Sequence, residues 1–266
     1  MNNISAASRE FREIDELSAQ DSPIHRLHPL VKLLVTLAYI VCVVSFPKYQ
    51  LSGLAVMVLY PVLVFQLSGI PVRTCFHKLR IVLPLVCAVG LLNPFFDRAP
   101  LLYVGGLAVS GGVVSMATLM LKGVFSLMAS FLLIATTSID ALCAALRKLH
   151  VPALLVTLLL LTYRYISVMI GEVAVMTDAY RLRAPGQKGI HISVWGSFLG
   201  QLLLRSMDRA EELYQSMQLR GFRGEFYYAD QPPCTAGAVA YGVVCAALFV
   251  LARLYDLPQL LGNLFV

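Results

Sequence analysis

The sequence predicts an all-α integral membrane protein of about five transmembrane helices, with a polar segment of one short and two long helices inserted before the last span. Three observations lead there. Apolar residues make up 58% of the 266 and charged residues 14%, whereas a soluble domain holds roughly 45–50% apolar, glycine included, and about 25% charged. Apolar runs of bilayer-spanning length recur along the chain, and the mean hydropathy is +0.75. The net charge of +6 is spread over connecting segments. That is the positive-inside pattern of a membrane protein, not the basic patch of a nucleic-acid binder.

Residues 1–29 mix Arg9, Arg12 and Arg26 with Glu10, Glu13, Asp15, Glu16 and Asp21. They lack the basic start, apolar core and small-residue cleavage site of a secretory signal, so they read as a cytoplasmic tail. The membrane domain is expected over 30–135, with spans Leu30–Phe46, Leu51–Leu67, Ile81–Phe96 and Gly112–Ala135. Each approaches the ~17–25 apolar residues that crossing requires. Pro61 lies inside the second span, and the Asn93-Pro94 pair predicts a break near the end of the third. Ala236–Leu254 forms the last span, within 235–266.

One apolar stretch, Ala153–Ile170, is ambiguous, and charge decides it. If it does not cross, the inside segments 1–29, 68–80 and 136–234 hold sixteen Lys and Arg, and the outside loops hold only Lys48 and Arg98. If it crosses, seven cations from Arg181 to Arg223 move outside, against the positive-inside bias. Arg164 inside the stretch would cost at least ~2.5 kcal/mol in a bilayer. The expectation is five spans, with Ala153–Ile170 packed on protein or lying at the interface.

The segment 136–234 is therefore expected to be cytoplasmic and helical. Thr137-Ser-Ile-Asp140 fits a capping box and opens a short helix that ends before Pro152. A long helix from about Ala153 to Arg183 stops at Ala184-Pro185-Gly186, and a second runs from about Ser193 to Arg220, stopped by Gly221. The two end alike, in Leu182-Arg183-Ala184 and Leu219-Arg220-Gly221. Glu172, Met176, Ala179 and Arg183 share one face, and so do Ala210, Leu213, Met217 and Arg220. A terminal Arg also complements a helix dipole, which is the ordinary reading of either end alone. The duplication instead suggests two equivalent docking points for a dimeric partner, with Arg forks suited to carboxylates.

The chain resembles the transmembrane (T) component of energy-coupling factor (ECF) transporters, most closely the cobalt-type CbiQ proteins. The matching stretches are Ile14-Asp15, Ser22 to Leu34 (SPIHRLHPLVKLL), Asn93-Pro-Phe-Phe96, Thr136 to Leu142 (TTSIDAL), Val151-Pro152, Arg164-Tyr165-Ile166, Glu172 and the two Arg motifs. The family's paired Ala-Arg-Gly-like motifs correspond to Leu182-Arg183-Ala184 and Leu219-Arg220-Gly221, with Leu for Ala in both and Ala for Gly in the first. The resemblance implies that 136–234 is a coupling domain whose long helices cross. Each Arg would insert into a groove on one of two ABC-type ATPase subunits. A separate substrate-binding membrane (S) subunit would carry the cargo, cobalt in the first instance, with nickel or a vitamin as the alternatives. It implies a multi-pass protein of a prokaryotic cell membrane.

Other candidate chemistry is thin. No G-x-x-x-x-G-K-[ST] run is present, so ATP is expected on partner subunits and no cofactor on this chain. His25-x-x-His28 tempts as a metal site but lacks a third ligand at useful spacing, and no metal is expected. The six cysteines (Cys42, Cys75, Cys87, Cys143, Cys234, Cys245) form no CxxC and read as small hydrophobes. Lys122 and Asn93 are candidate intramembrane polar residues, with snorkelling or pairing as the competing role for Lys122. No acid–base set for catalysis is assembled. The competing function is a stand-alone six-span channel or secondary transporter that uses Ala153–Ile170 as a true crossing.

Overall fold

The computed structural model describes residues 9, 12–48, 50–80, 82–96, 100–104, 107–187, 189–224, 226 and 235–254. In chain order the elements are α1 (Pro29–Ser45), α2 (Leu51–Val56), α3 (Leu59–Ser68), α4 (Val72–Leu79), α5 (Leu83–Phe96), β1 (Pro100–Val104), β2 (Leu107–Ser110), α6 (Gly111–Thr136), α7 (Ile139–Lys148), α8 (Ala153–Arg183), a 3-10 turn (Ile192–Val194), α9 (Trp195–Leu219) and α10 (Ala236–Leu254). The chain divides into two compact units. One comprises 17–138 with 231–266, and the other 1–16 with 139–230. The protein is an all-helical membrane protein with one short hairpin.

In the first unit α1 starts at Pro29, where a missing N–H is free of cost, and His28 caps it by accepting from Leu30 N at 3.1 Å. Val31, Val35, Tyr39 and Val43 recur every fourth residue and form the buried face. Tyr39, Tyr60 of α3 and Phe249 of α10 cluster with ring centroids 4.6–5.3 Å apart.

The expected span Leu51–Leu67 is divided at Met57-Val58 into α2 and α3. Pro61 supplies no N–H to the carbonyl of Met57, four residues back. The Tyr39 hydroxyl fills that place, donating to Met57 O at 2.9 Å. Gly69, left-handed at φ 72°, ends α3, and α4 then turns 116° from the preceding segment Gly53–Ser68.

Two further expectations are corrected. α5 runs unbroken through Asn93-Pro94 to Phe96; Pro94 falls in the last turn and forfeits only one helical bond. The stretch after it, expected as plain loop, carries the antiparallel pair β1–β2, with Tyr103 opposite Ala108 and Val104 opposite Leu107. Gly105-Gly106 between apolar strand formers is the hairpin signal.

α5 and α6 approach closely at Gly123, where a Cβ would come 2.5 Å from Val86 Cγ1. Small residues at helix contacts are how helices pack in lipid, where the hydrophobic effect gives no drive.

In the second unit α7 begins one residue later than a Thr137 cap requires. The Thr137 hydroxyl makes no hydrogen bond, and Asp140 instead pairs with Arg164 of α8 at 3.0 Å. The expected capping box is therefore not formed: a guanidinium across the helix pair holds the carboxylate that would have closed it. α7 ends in a six-to-one turn, Val151 N to Leu146 O at 3.3 Å, with His150 left-handed at φ 64°. Cys143, Val156 and Leu160 form this unit's core. The five described cysteines are free thiols.

By length and composition three helices could cross a bilayer: Gly111–Thr136, Ala153–Arg183 and Ala236–Arg253, or four if the bent pair around Gly69 counts as one. α1, at 17 residues, stands at the lower limit of spanning length, and α5 is shorter. Ala153–Ile170, expected not to cross, thus belongs to a helix that qualifies as a span. Leu154, Leu155, Leu158 and Leu159 on it are exposed.

Candidate functional site: the arginine-tipped ends of two long helices

α8 and α9 are 31 and 25 residues long and meet through a short set of side chains. Glu172 of α8 pairs with Arg205 of α9 at 2.9 Å. Leu161 and Tyr165 of α8 line an open groove with Leu213 and Met217 of α9. As the α8 number rises the α9 number falls, so the helices run antiparallel. Arg183 lies eleven residues beyond Glu172, and Arg220 fifteen beyond Arg205, in opposite directions. At 1.5 Å per residue the two tips stand up to about 40 Å apart.

Each tip is built to present its side chains outward. Leu182 is 85% exposed and Leu219 90%. Arg183 and Arg220 are exposed, and their guanidinium groups make no hydrogen bond or ion pair among the described residues. Four other arginines of this unit are engaged, Arg164 with Asp140, Arg181 with Asp178, Arg205 with Glu172 and Arg209 with Glu212, while Arg223 beside Arg220 is exposed like the tips.

The two ends are held differently. At the α9 end, Gly221 adopts φ 78°, a value only glycine takes freely. Gly221 N bonds Gln218 O at 2.9 Å and Phe222 N bonds Met217 O at 3.0 Å, a Schellman closure. At the α8 end Ala184 leaves the helix at φ −127° and ψ 65°, neither helical nor extended. The turn there is fastened by Tyr180, whose hydroxyl donates to Gln187 at 2.7 Å and accepts from His191 N at 3.4 Å. Leu-Arg-small endings are thus alike in exposure and unlike in cap.

The supporting residues divide. Glu172 braces the helix pair, and Leu213 and Met217 line the groove beside Arg220. Met176 and Ala179 are half-buried, and Ala210 is exposed at the groove's edge.

The remaining candidates lie in the other unit. Lys122 Nζ donates to Val44 O at 3.0 Å and to Phe46 O, so it caps the C-terminus of α1. Lys32 went unnoticed in the sequence. It is 6% exposed and donates to Thr136 O, the last residue of α6, at 2.6 Å. Each lysine closes the carbonyl end of the other's helix, where cations are favoured. A lysine four residues inside an apolar helix was the available signal. Asn93 sits in the last turn of α5.

His25 and His28 do not converge on a common point. His25 Nε2 lies 3.0 Å from Leu17 O and 3.3 Å from Ala135 O, while His28 Nδ1 caps α1. Among the described residues no three of His, Cys, Asp or Glu are grouped as metal ligands.

The sequence profile of the CbiQ family, described as cobalt transport protein, matches residues 20–229. The chain belongs to that family. It is 30% identical over 232 residues to the cobalt transport protein CbiQ of Rhodobacter capsulatus, covering 85% of this chain and 91% of the relative. It is 25% identical over 257 residues to the energy-coupling factor transporter transmembrane protein EcfT of Limosilactobacillus fermentum, covering 88% and 94%. The nickel permease LarQ of Lactiplantibacillus plantarum is 35% identical over 92 residues, 34% of this chain and 33% of that one. The chain is thus a CbiQ-like T component, a membrane component of a transporter. Both tips and all of α9 fall inside the matched range.

Proposed function

We propose that this chain is the coupling subunit of an ATP-driven importer of cobalt ion, carrying movements of two partner ATPase subunits to a separate substrate-binding membrane subunit. The observation that carries the reading is the pair of tips: two highly exposed leucines, each followed by an arginine with no partner among the described residues. An exposed apolar side chain beside an unpaired guanidinium suits a groove with an apolar floor and acidic walls. A spacing of up to about 40 Å suits two copies of such a groove better than one. ATP is bound and hydrolysed on the partners, and this chain contributes no catalytic residue and holds no cofactor. Cobalt is preferred from the family description and the Rhodobacter relative; nickel, or a vitamin through a shared module, are the alternative cargoes. The tips and the N-terminus face the cytoplasm of a prokaryotic cell.

The test is charge reversal. Arg183→Glu and Arg220→Glu each weaken co-purification of an ATPase pair and cobalt uptake, and the double variant abolishes both while still inserting into the membrane. Wild-type uptake in the double variant would overturn the assignment.

A second reading has one observation in its favour, since Ala153–Arg183 is long and apolar enough to cross. A six-span channel or secondary transporter would then place residue 186 outside. A topology reporter fused at Gly186 separates the two, an external signal favouring the channel.

A further inference from the structure

α4 differs in construction from its neighbours. Its apolar and basic residues are sorted by angle: at 100° per residue the order around the axis is Cys75 with Leu79, then Val72 with Phe76, then Arg80, Arg73 and His77, with Thr74 and Lys78 completing the polar arc. Cys75 and Leu79 are buried against the first unit's core. Val72 and Phe76 are exposed at 42% and 44%. Arg73, His77 and Arg80 are exposed too, and none has a partner among the described residues.

Charge makes the absence of a partner informative. No Asp or Glu occurs anywhere between Asp21 and Asp97, so this stretch of chain offers its cations no internal counter-ion. The 116° turn after Gly69 carries α4 away from the direction of the apolar segment before it. Four cationic or imidazole side chains, Lys78 included, make it a poor re-entrant helix in hydrocarbon. An apolar strip lying between a packed face and a basic face is the design of a helix in the membrane interface.

We propose that α4 lies in the bilayer interface and binds the phosphate headgroups of anionic phospholipids through Arg73, His77 and Arg80, with Val72 and Phe76 among the upper acyl carbons. A partner groove with acidic walls and an apolar floor would take the same face, but Cys75 and Leu79 pack with Met128, Leu132 and Ala135 near the C-terminal end of α6, a helix of spanning composition, which sets α4 at the level of the bilayer surface. Anionic lipid satisfies both with one surface.

The test uses the full chain in a Trp195→Phe background, Trp195 being the sole tryptophan, with Phe76→Trp introduced. In vesicles of phosphatidylglycerol and phosphatidylcholine, acyl chains brominated near the glycerol should quench the introduced indole by more than half. Iodide in the aqueous phase should quench it weakly. Strong iodide quenching with none from the brominated lipid overturns the placement. In parallel, native mass spectrometry of the detergent-purified protein should retain phosphatidylglycerol over phosphatidylcholine. Arg73→Gln with Arg80→Gln should cut that preference at least threefold without moving the thermal midpoint. An unchanged lipid preference overturns the headgroup assignment, and so does an unchanged preference accompanied by loss of a bound protein, which would mark α4 as a protein-docking helix.

Discussion

Replacing Lys122 by Met removes the ammonium and keeps most of the aliphatic stem, so it isolates one interaction. The last carbonyls of a helix have no partner within it. At the end of α1 two cations supply three in succession: Lys122 takes Val44 O and Phe46 O, and Arg253 takes Ser45 O at 3.2 Å. Hydrogen bonds to a charged group contribute about 1.5–3 kcal/mol each. Lys122→Met loses two, and relief from desolvating the ammonium offsets part, leaving a net cost of about 2 kcal/mol. For a protein of this size each kcal/mol moves the midpoint by roughly 2–4 °C, so a loss of about 4–8 °C is expected. The assay is heating of the detergent-solubilised protein, read as surviving monodisperse peak on size exclusion. Lys122→Arg should recover most of the loss and leave uptake intact. Arg253→Met combined with Lys122→Met should cost more than the two single changes added, because each single change also relieves the repulsion between the two cations and the double change relieves it only once. A midpoint unchanged in Lys122→Met refutes the capping role. Uptake abolished in a fully stable Lys122→Arg would instead put this side chain in a transport path.

Three other outcomes follow from local geometry, all read as thermal midpoints in detergent. Tyr39→Phe leaves Met57 O without the hydroxyl that replaces the amide missing at Pro61, and should cost about 1–2 kcal/mol; a neutral result would mean the break at Met57 is set by something else. His150→Gly relieves a left-handed non-glycine residue and should raise stability by about 1 kcal/mol, whereas His150→Val should lower it. Gly123→Ala forces a methyl into Val86 and should cost about 1–3 kcal/mol, with Val86→Ala in the same chain restoring most of it.

The sequence was read best where period and punctuation agree. α8 was placed at Ala153–Arg183 because Pro152 precedes it and Pro185-Gly186 follows, and Gly221 marked the end of α9 because only a residue free at positive φ closes that turn. It was read worst where a distant group overrides a local pattern. Thr137-x-x-Asp140 has the letters of a capping box, but Arg164, twenty-four residues on, takes the carboxylate. The division of α2 from α3 depends on Tyr39 reaching back across the bundle to a carbonyl that Pro61 leaves open. Neither is visible in a window of one helix. For the tips, the identities of Arg183 and Arg220 were legible from the repeated ending. Their lack of partners was not, since it depends on which carboxylates the other arginines occupy.

The two readings of topology differ over the first half of α8, and its polar contacts weigh between them. Leu154, Leu155, Leu158 and Leu159 favour lipid, and exposure of four leucines to water forfeits several kcal/mol of burial. Against that stand Arg164 and Asp140, an ion pair with both side chains more than half exposed, and Tyr163, whose hydroxyl donates to Asp15 at 2.6 Å. Inserting the stretch would carry these groups toward hydrocarbon, where a charged side chain costs about 2.5–3.5 kcal/mol even on the most lenient scale. The leucines occupy only the first two turns, and the contacts with charged groups begin at Tyr163. A shallow seat at the interface therefore satisfies both halves, apolar start in the acyl boundary and Arg164 in water, while a full crossing satisfies only the first. Arg164→Leu is the discriminating change. At the interface it should release Asp140 and loosen α7 from α8 without altering the side on which a reporter at Gly186 is found. In a crossing helix the same substitution should strengthen insertion and leave an external signal at least as strong as before.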